Sequence, residues 1–467
     1  MMKPKWLLLC VLIIGLISAS VQAQENTSEE AQPHDPVTIK WYVGLGTGAT
    51  AEQLETEDRL VDAFNTSQDD IILELVCVCG GQTPYDWFSI MVDSGVPLDI
   101  IGPLGFGGAN RFTETGWLDL QPLIESHGYD LSQFPPNMVE TYRTSGGELS
   151  ALPFAIYPGV LYYNADLFDA AGLHYPPTRS GEAYIMPDGS RLPWDYETVA
   201  LIGRLLTLDA NGHDATHPDF DPTSIVQFGF THQWDSMRSD FHTFGSAHVV
   251  NENGQVIIPE HWRAQAHWFW GGVWENHFIP SNAYVMSDLF RNNNAFASGH
   301  VAMARSMVWY TCCLSNLDVR WDIAVQPAYR GAIYAPMDFD SFYIHASTLY
   351  PEESFIVLQY LLGAAAPDLL DIYGAFPARP DLQEVGLHWY QEHYPTVQNW
   401  DVFSTSTQFI PAVHHESTYP NYDAGEERFN QFLTMLLGEN SATIDLDAEL
   451  DKLESDLQAI VDGEARP

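Results

Sequence analysis

The chain has 467 residues, 46% of them hydrophobic and 17% charged, enough for two core-bearing domains. Its formal charge is −43, falling to −45 if Lys3 and Lys5 are removed, which leaves Lys40 and Lys452 as the only lysines. Such a surface repels nucleic acid and anionic lipid, and no basic stripe overcomes that, so partners of both kinds are excluded.

Lys3 and Lys5 precede an apolar run over residues 6–17, and Val21-Gln22-Ala23 offers small residues for cleavage. The run is too short for an ordinary membrane span, so residues 1–23 are expected to be a signal peptide cut after Ala23. An uncleaved anchor is the alternative; either way the chain is exported, to an extracellular or periplasmic place. Cys10 lies inside the apolar run without the small neighbour of a lipid-attachment cysteine. "QENTSEEAQPHDP" (24–36) is polar and acidic and reads as a flexible linker.

"VTIKWYVG" (37–44) alternates and is β-branched, predicting a strand that runs into the glycine-rich "GLGTGAT". "EQLETEDRLVDAFNTS" sets Leu54, Leu60, Val61 and Phe64 in a polar background and predicts an amphipathic helix. "IILELVCV" and "LDIIGP" predict further strands, with a helix over "YDWFSIMVDSGVP" between them. The order β-α-β-α-β implies a parallel sheet flanked by helices, whose ligands sit beyond the carboxyl ends of the strands. Trp41 and Tyr42 end the first strand and Phe106 follows the third, which makes all three candidate ligand contacts. The glycines lack both the G-x-G-x-x-G spacing and a P-loop lysine.

Past the signal, Cys77, Cys79, Cys312 and Cys313 remain. In an exported chain they are disulfide candidates, with three complete pairings open. A soft metal site is the alternative, but C-x-C plus C-C matches no standard zinc spacing.

"TRSGEAYIMPDGSRLP" (178–193), with Asp188-Gly189 between short extended pieces, predicts an inserted hairpin. "DYETVALIGRLLTLDANG" predicts a helix capped by Asp195 and stopped at Asn211-Gly212. In the loop that follows, Asp209, Asn211 and Asp214 could surround a calcium ion, but Gly212 breaks the EF-hand spacing and a solvated Asx-turn is preferred. His213 and His217 flank a proline-bearing loop, and His414-His415 are read as solvated, so no metal site is assigned. No nucleophile elbow, H-E-x-x-H helix or distinct acid pair marks a hydrolase, so no catalytic residue and no cofactor is assigned.

"LPFAIYPGVLYYNADLFDAAGL" (152–173) places prolines, a glycine and three tyrosines around an apolar run that opens into a helix. "YPP" and "WDYETV", "AFASGHVAMARSMVWY", "WDIAVQPAY", "YGAFPARPDL" and "LGENSATIDLDAELDKLESDLQAI" follow it in that order. Together they resemble the extracellular solute-binding proteins of ABC importers, in the sugar-binding, maltose-binding-like group. The departures are His300 where the family commonly has lysine, and Ser306-Met307-Val308 in place of a glycine before Trp309.

The resemblance implies a two-lobed α/β, periplasmic-binding-protein-like type II fold with a hinge and an interlobe cleft. It places the first lobe at 37–155 and 328–374 and the second at 156–327 and 375–467, with the first crossing at Pro153 to Ile156. It implies a non-enzyme that captures a carbohydrate and delivers it, as a monomer, to the transmembrane subunits of an ABC permease. Sugars offer apolar C–H faces and a rim of hydroxyls, which aromatic rings and carboxylates meet. On position within the resemblance, Trp309 leads the expected ligand contacts, followed by Trp234, Tyr157 and Asp340, with Asp338 beside it in a loop expected over 338–341 after the return to the first lobe. Gly159 is expected to let backbone approach the ligand, while Tyr162 and Tyr163 are expected to pack in the second lobe. A polyamine-like cation held by Asp338 and Asp340 is the nearer rival, and a secreted glycoside hydrolase the more distant one.

Overall fold

The computed structural model describes residues 35–78, 84–112, 116–144, 146–314 and 319–464; the expected signal peptide and Cys79 lie outside them. The strands are β1 (Val37–Val43), β2 (Ile71–Cys77), β3 (Ile100–Gly105), β4 (Ala151–Asn164), β5 (Tyr184–Ile185), β6 (Arg191–Leu192) and β7 (Leu208–Asp209). They continue with β8 (Ile225–Gln227), β9 (Thr231–His232), β10 (Met303–Met307), β11 (Trp321–Ala324), β12 (Met337–Ile344) and β13 (Phe376–Pro377). One nine-stranded sheet runs in the order β2-β1-β3-β12-β4-β10-β9, with β11 and β13 also paired to β4.

The amino-terminal unit forms for local reasons. Thr50 caps the helix Ala51–Ser67 by accepting from the Gln53 backbone, while the Gln53 side chain returns to the Thr50 N–H, a reciprocal box. The buried face of this helix carries Leu60, Val61 and Phe64. It links β1 to β2, which lie parallel in unbroken register from Val37 opposite Ile71 to Val43 opposite Cys77. β3 lies parallel on the other edge of β1.

β4 ties the two halves of the sheet together. All 14 of its residues are buried, and paired strands accompany it from end to end. β12 pairs antiparallel with residues from Ala151 to Pro158, and β13 covers Ala155 and Ile156 from the other edge. β10 takes over from Gly159 to Tyr163, with β11 opposite Leu161 to Asn164. The exchange of partners falls between Pro158 and Gly159, a few residues beyond the expected Pro153 to Ile156. Proline has no N–H to give a ladder, and the register of β12 shifts between Asp340 and Ser341, where Pro153 stands opposite.

Gly159, expected to let backbone approach a ligand, is closely surrounded by protein atoms. Its N–H donates to the Pro336 carbonyl at 2.8 Å, and a Cβ built on Gly159 would lie 2.8 Å from that same oxygen. The glycine is therefore a packing requirement at the point where β4 passes from one half to the other.

Tyr162 and Tyr163 pack as expected, Tyr162 donating to the Met307 carbonyl at 3.1 Å. The hairpin β5–β6 turns at Asp188-Gly189, with Gly189 at φ +85°. Asp195 caps the next helix by accepting from the Thr198 N–H at 2.9 Å. That helix ends at Leu205, short of the expected stop at Asn211-Gly212, because Leu208 and Asp209 pair with β8 instead. Trp268, Trp270 and Trp274 belong to the helix Glu260–Trp274 and donate their indole N–H groups to the Tyr196, Ser441 and Leu436 carbonyls.

Gly159→Ala should cost about 1–3 kcal/mol, the range for forcing extra volume into a packed site. Urea unfolding should show the loss as a lowered midpoint at unchanged slope.

Candidate functional site

A cleft of about 640 Å³ opens where β1 and β3 end, beside β4, β12 and the turn after β10. This size suits a small ligand or short oligomer. The loop after β1 contributes Leu45, Gly46 and Thr47, and the turn after β3 contributes Gly105 to Gly108.

Strand alternation builds the acidic wall. In "MDFDSF" the odd positions Met337 and Phe339 are fully buried in the core, so Asp338 and Asp340 emerge together on the other face. Asp338 stands opposite Tyr157 in the β12–β4 ladder, and the Tyr157 hydroxyl donates to Asp340 Oδ2 at 3.2 Å. Trp309 opens the 3-10 turn Val308–Leu314, and its indole N–H donates to Asp338 Oδ2 at 2.7 Å, which fixes the ring against the cleft. The other oxygen of Asp338 lies 3.2 Å from His415 Nε2.

Glu416 completes the wall from a distant part of the chain, accepting from the Gly107 N–H at 3.1 Å while its backbone carbonyl holds the Asn110 side chain at 2.6 Å. Beneath it, His414 donates from Nε2 to the Met337 carbonyl at 2.6 Å and accepts from the Glu416 N–H at Nδ1. Trp389 and Tyr394 face the cleft from the helix Gln383–His393 and the residue that follows it.

The electrostatics of this wall are one-sided. Asp338, Asp340 and Glu416 line the cleft, and no lysine, arginine or histidine is among the described residues lining it. Burial pushes the Asp340 carboxyl up to about 7, against the Tyr157 hydrogen bond and with help from Asp338. Burial also raises Glu416 well above the usual carboxylate range, with Asp338 and Glu426 adding to it. His414 is held neutral by burial, reinforced by the neighbouring His415.

The cations stand behind the wall. Arg305, fully buried on β10, bonds Asp240 at 2.8 Å and Ser239 at 2.8 Å and also contacts Asp235. Burial still raises Asp235 to about 7 although Arg305 pulls the other way. Arg238, equally buried, pairs with Glu426 at 2.6 Å.

Of the residues expected to bind, Trp309, Tyr157, Asp338, Asp340 and Phe106 come together on the cleft wall. Trp41 and Tyr42 do not. They lie inside the sheet, Trp41 donating its indole N–H to the Gly102 carbonyl at 2.7 Å and Tyr42 packing on Trp87, because the strand runs on to Val43 before the chain reaches the cleft. Trp234 also lies elsewhere: its backbone takes φ 57° after β9 and its ring packs edge-on against Tyr310, 43% exposed and off the cleft wall. His414 and His415 are buried, not solvated. Gln53, Tyr373, Trp389, Tyr394 and Glu416 line the cleft without having been singled out from the sequence.

The calcium reading of Asp209, Asn211 and Asp214 gives way to a turn. Asp209 accepts from the backbone N–H groups of Asn211, His213 and Asp221, which outweigh its burial and hold the carboxyl at about 2. Asp214 is engaged by Thr216. Among the described residues, the set able to hold a divalent ion is Asp338, His415 and Glu416, whose ligand atoms lie within 4.8 Å of one another.

A raised carboxyl stabilises the fold while protonated, and that stability is lost as pH rises through the folded value. Asp340 therefore favours the folded state fully below about 4 and ceases to do so above about 7. Urea unfolding of the ligand-free protein from pH 4 to pH 8 should show this decline in the wild type, and Asp340→Asn should remove its share of it. Identical pH profiles for the two proteins would contradict the assignment.

Known structures place this geometry in context. No family model matches the sequence. The structure superposes on M. tuberculosis UspC with a TM-score of 0.69 and 17% identity, covering 91% of this chain and 100% of that one. An ABC substrate-binding protein from Listeria monocytogenes, solved with cycloalternan, gives 0.66 and 17%, over 91% and 98%. UgpB from Mycobacterium tuberculosis, solved with glycerophosphocholine, gives 0.66 and 14%, over 92% and 100%. The chain has the two-lobed α/β fold of the ABC-importer solute-binding proteins.

Proposed function

We propose that the chain is the substrate-binding component of an ABC carbohydrate importer, which captures a sugar or oligosaccharide between its lobes. The observation that carries this is the cleft wall itself, where Trp309, Tyr157 and Trp389 stand beside Asp338, Asp340 and Glu416. Rings meet the C–H faces of a pyranose and carboxylates accept from its hydroxyls. The neighbour solved with cycloalternan is a carbohydrate complex of the same fold.

The lobes take residues 37–155 with 328–374, and 156–327 with 375–467. A ligand touching both stabilises the closed arrangement and shifts an existing open–closed equilibrium toward it. Delivery to the permease then needs no bond to be made or broken. The chain acts outside the cytoplasmic membrane as a monomer, freed by cleavage after Ala23 or held by an uncleaved amino-terminal segment.

A second reading has its own observation. Three carboxylates on a wall where no lysine or arginine is among the described lining residues suit a cationic solute, and one neighbour holds glycerophosphocholine, which carries a quaternary ammonium.

Calorimetric titration against maltotriose, mannotriose, cycloalternan and spermidine separates the two. Heat from an intact oligosaccharide supports the carbohydrate reading, heat from spermidine alone the cationic one, and newly released reducing ends a hydrolase. Trp309→Ala should weaken oligosaccharide binding about tenfold or more, as expected for a buried aromatic anchor. Trp234→Ala should leave it within about twofold, since this ring lies off the wall.

A further inference from the structure

We propose that Cys312 and Cys313 are a modification site: in the exported chain they close into a vicinal disulfide that forms part of the cleft wall beside Trp309. That this wall faces a carbohydrate rests on the function proposed above; the disulfide does not.

The two sulfurs are 3.0 Å apart and neither cysteine is otherwise bonded. Both lie in the 3-10 turn Val308–Leu314. Residues three apart eclipse one another in such a turn, so Trp309 and Cys312 share one side, and both line the cleft. The turn is held at its base, Thr311 donating to the Val308 carbonyl at 2.9 Å and accepting from the Tyr394 hydroxyl at its own carbonyl, also 2.9 Å. The thiols are thus kept adjacent.

Cys77 is disulfide-bonded, as suits a chain in an oxidising setting. A thiolate metal site is the poorer alternative. The metal-capable set among the described residues contains no sulfur.

The chemistry is thiol–disulfide exchange with an external disulfide, either a small one such as oxidised glutathione or one carried by an oxidoreductase. A thiolate of the pair attacks the oxidant's S–S bond, forms a mixed disulfide and expels one oxidant thiolate. The neighbouring thiolate then attacks the cysteine sulfur of that mixed bond and expels the second. Each cysteine loses one hydrogen and is oxidised. The oxidant is reduced to two thiols, which take up the two protons. Adjacent residues have Cα atoms about 3.8 Å apart, below the usual disulfide span of about 4.4–6.8 Å, so the ring is strained and more easily reduced than an ordinary bridge.

The test uses the full exported chain purified without reductant. Denaturation, alkylation with iodoacetamide, digestion and mass spectrometry should find the peptide containing Cys312 and Cys313 unalkylated and lighter by two hydrogens than its dithiol form. A graded series of a phosphine reductant should open this pair before the Cys77 disulfide. Opening it should raise the emission of Trp309, isolated by difference from Trp309→Phe, because a disulfide quenches a nearby indole. The double variant Cys312→Ser/Cys313→Ser should show no such response.

Alkylation of both cysteines after incubation with oxidised glutathione would overturn the disulfide. An oxidised pair whose reduction leaves Trp309 emission unchanged would overturn its place beside that ring. Failure of maltotriose to bind would count against the carbohydrate reading, and these two readouts would still decide the disulfide.

Discussion

The structure depends on one strand serving two halves. β4 is buried from Ala151 to Asn164 and carries β12 on its first part and β10 on its second. Each half can complete its sheet only by pairing with this strand, and the partners exchange at Pro158 and Gly159. Two sheet portions on one continuous backbone can pivot about that exchange without breaking either ladder. The cleft forms there because neither β12 nor β10 extends past it, leaving Tyr157, Asp338 and Trp309 around the gap.

Charge is distributed unevenly about this seam. The few cations in the core of the second half, Arg305 and Arg238, are fully buried and already satisfied by Asp235, Asp240 and Glu426. Buried pairs of this kind fix orientation more than they add stability. Arg305 lies on β10 four residues before Trp309, so its bonds to Asp240 and Ser239 hold the strand that leads to the ring. With those cations engaged, no lysine or arginine is among the described residues lining the cleft, Asp338 meets His415 from behind, and burial raises Asp340 and Glu416.

Much of this was readable in the residues. "MDFDSF", expected as a loop, is strand, and its alternation puts Asp338 and Asp340 on one face. Thr50 with Gln53, and Asp195 with Thr198, announce their helices. Trp41 and Tyr42 misled although the expected strand end falls within one residue of the observed one, because both still pair within the ladder and only the chain past Val43 reaches the cleft. Trp234 misled because a positive φ after β9 redirects its ring, which no periodicity encodes. Trp389 and Glu416 reach the wall from helices and loops far along the chain, and only tertiary packing brings them there. The signal for the latter was present in "HHE" (414–416): three polar residues in succession that turn out to be packed under the wall, with their hydrogen bonds directed inward.

Two of the indoles of Glu260–Trp274 carry a consequence of another kind. Trp270 and Trp274 donate to Ser441 and Leu436, and Arg263 of the same helix pairs with Asp451 at 2.7 Å. The two carbonyl acceptors follow their donors by 171 and 162 residues. A nascent chain that has emerged only as far as the helix has the donors but not their partners, so this face of the second half cannot settle until the segment 436–451 arrives. The order of translation thus leaves the helix waiting on a distant stretch of its own polypeptide.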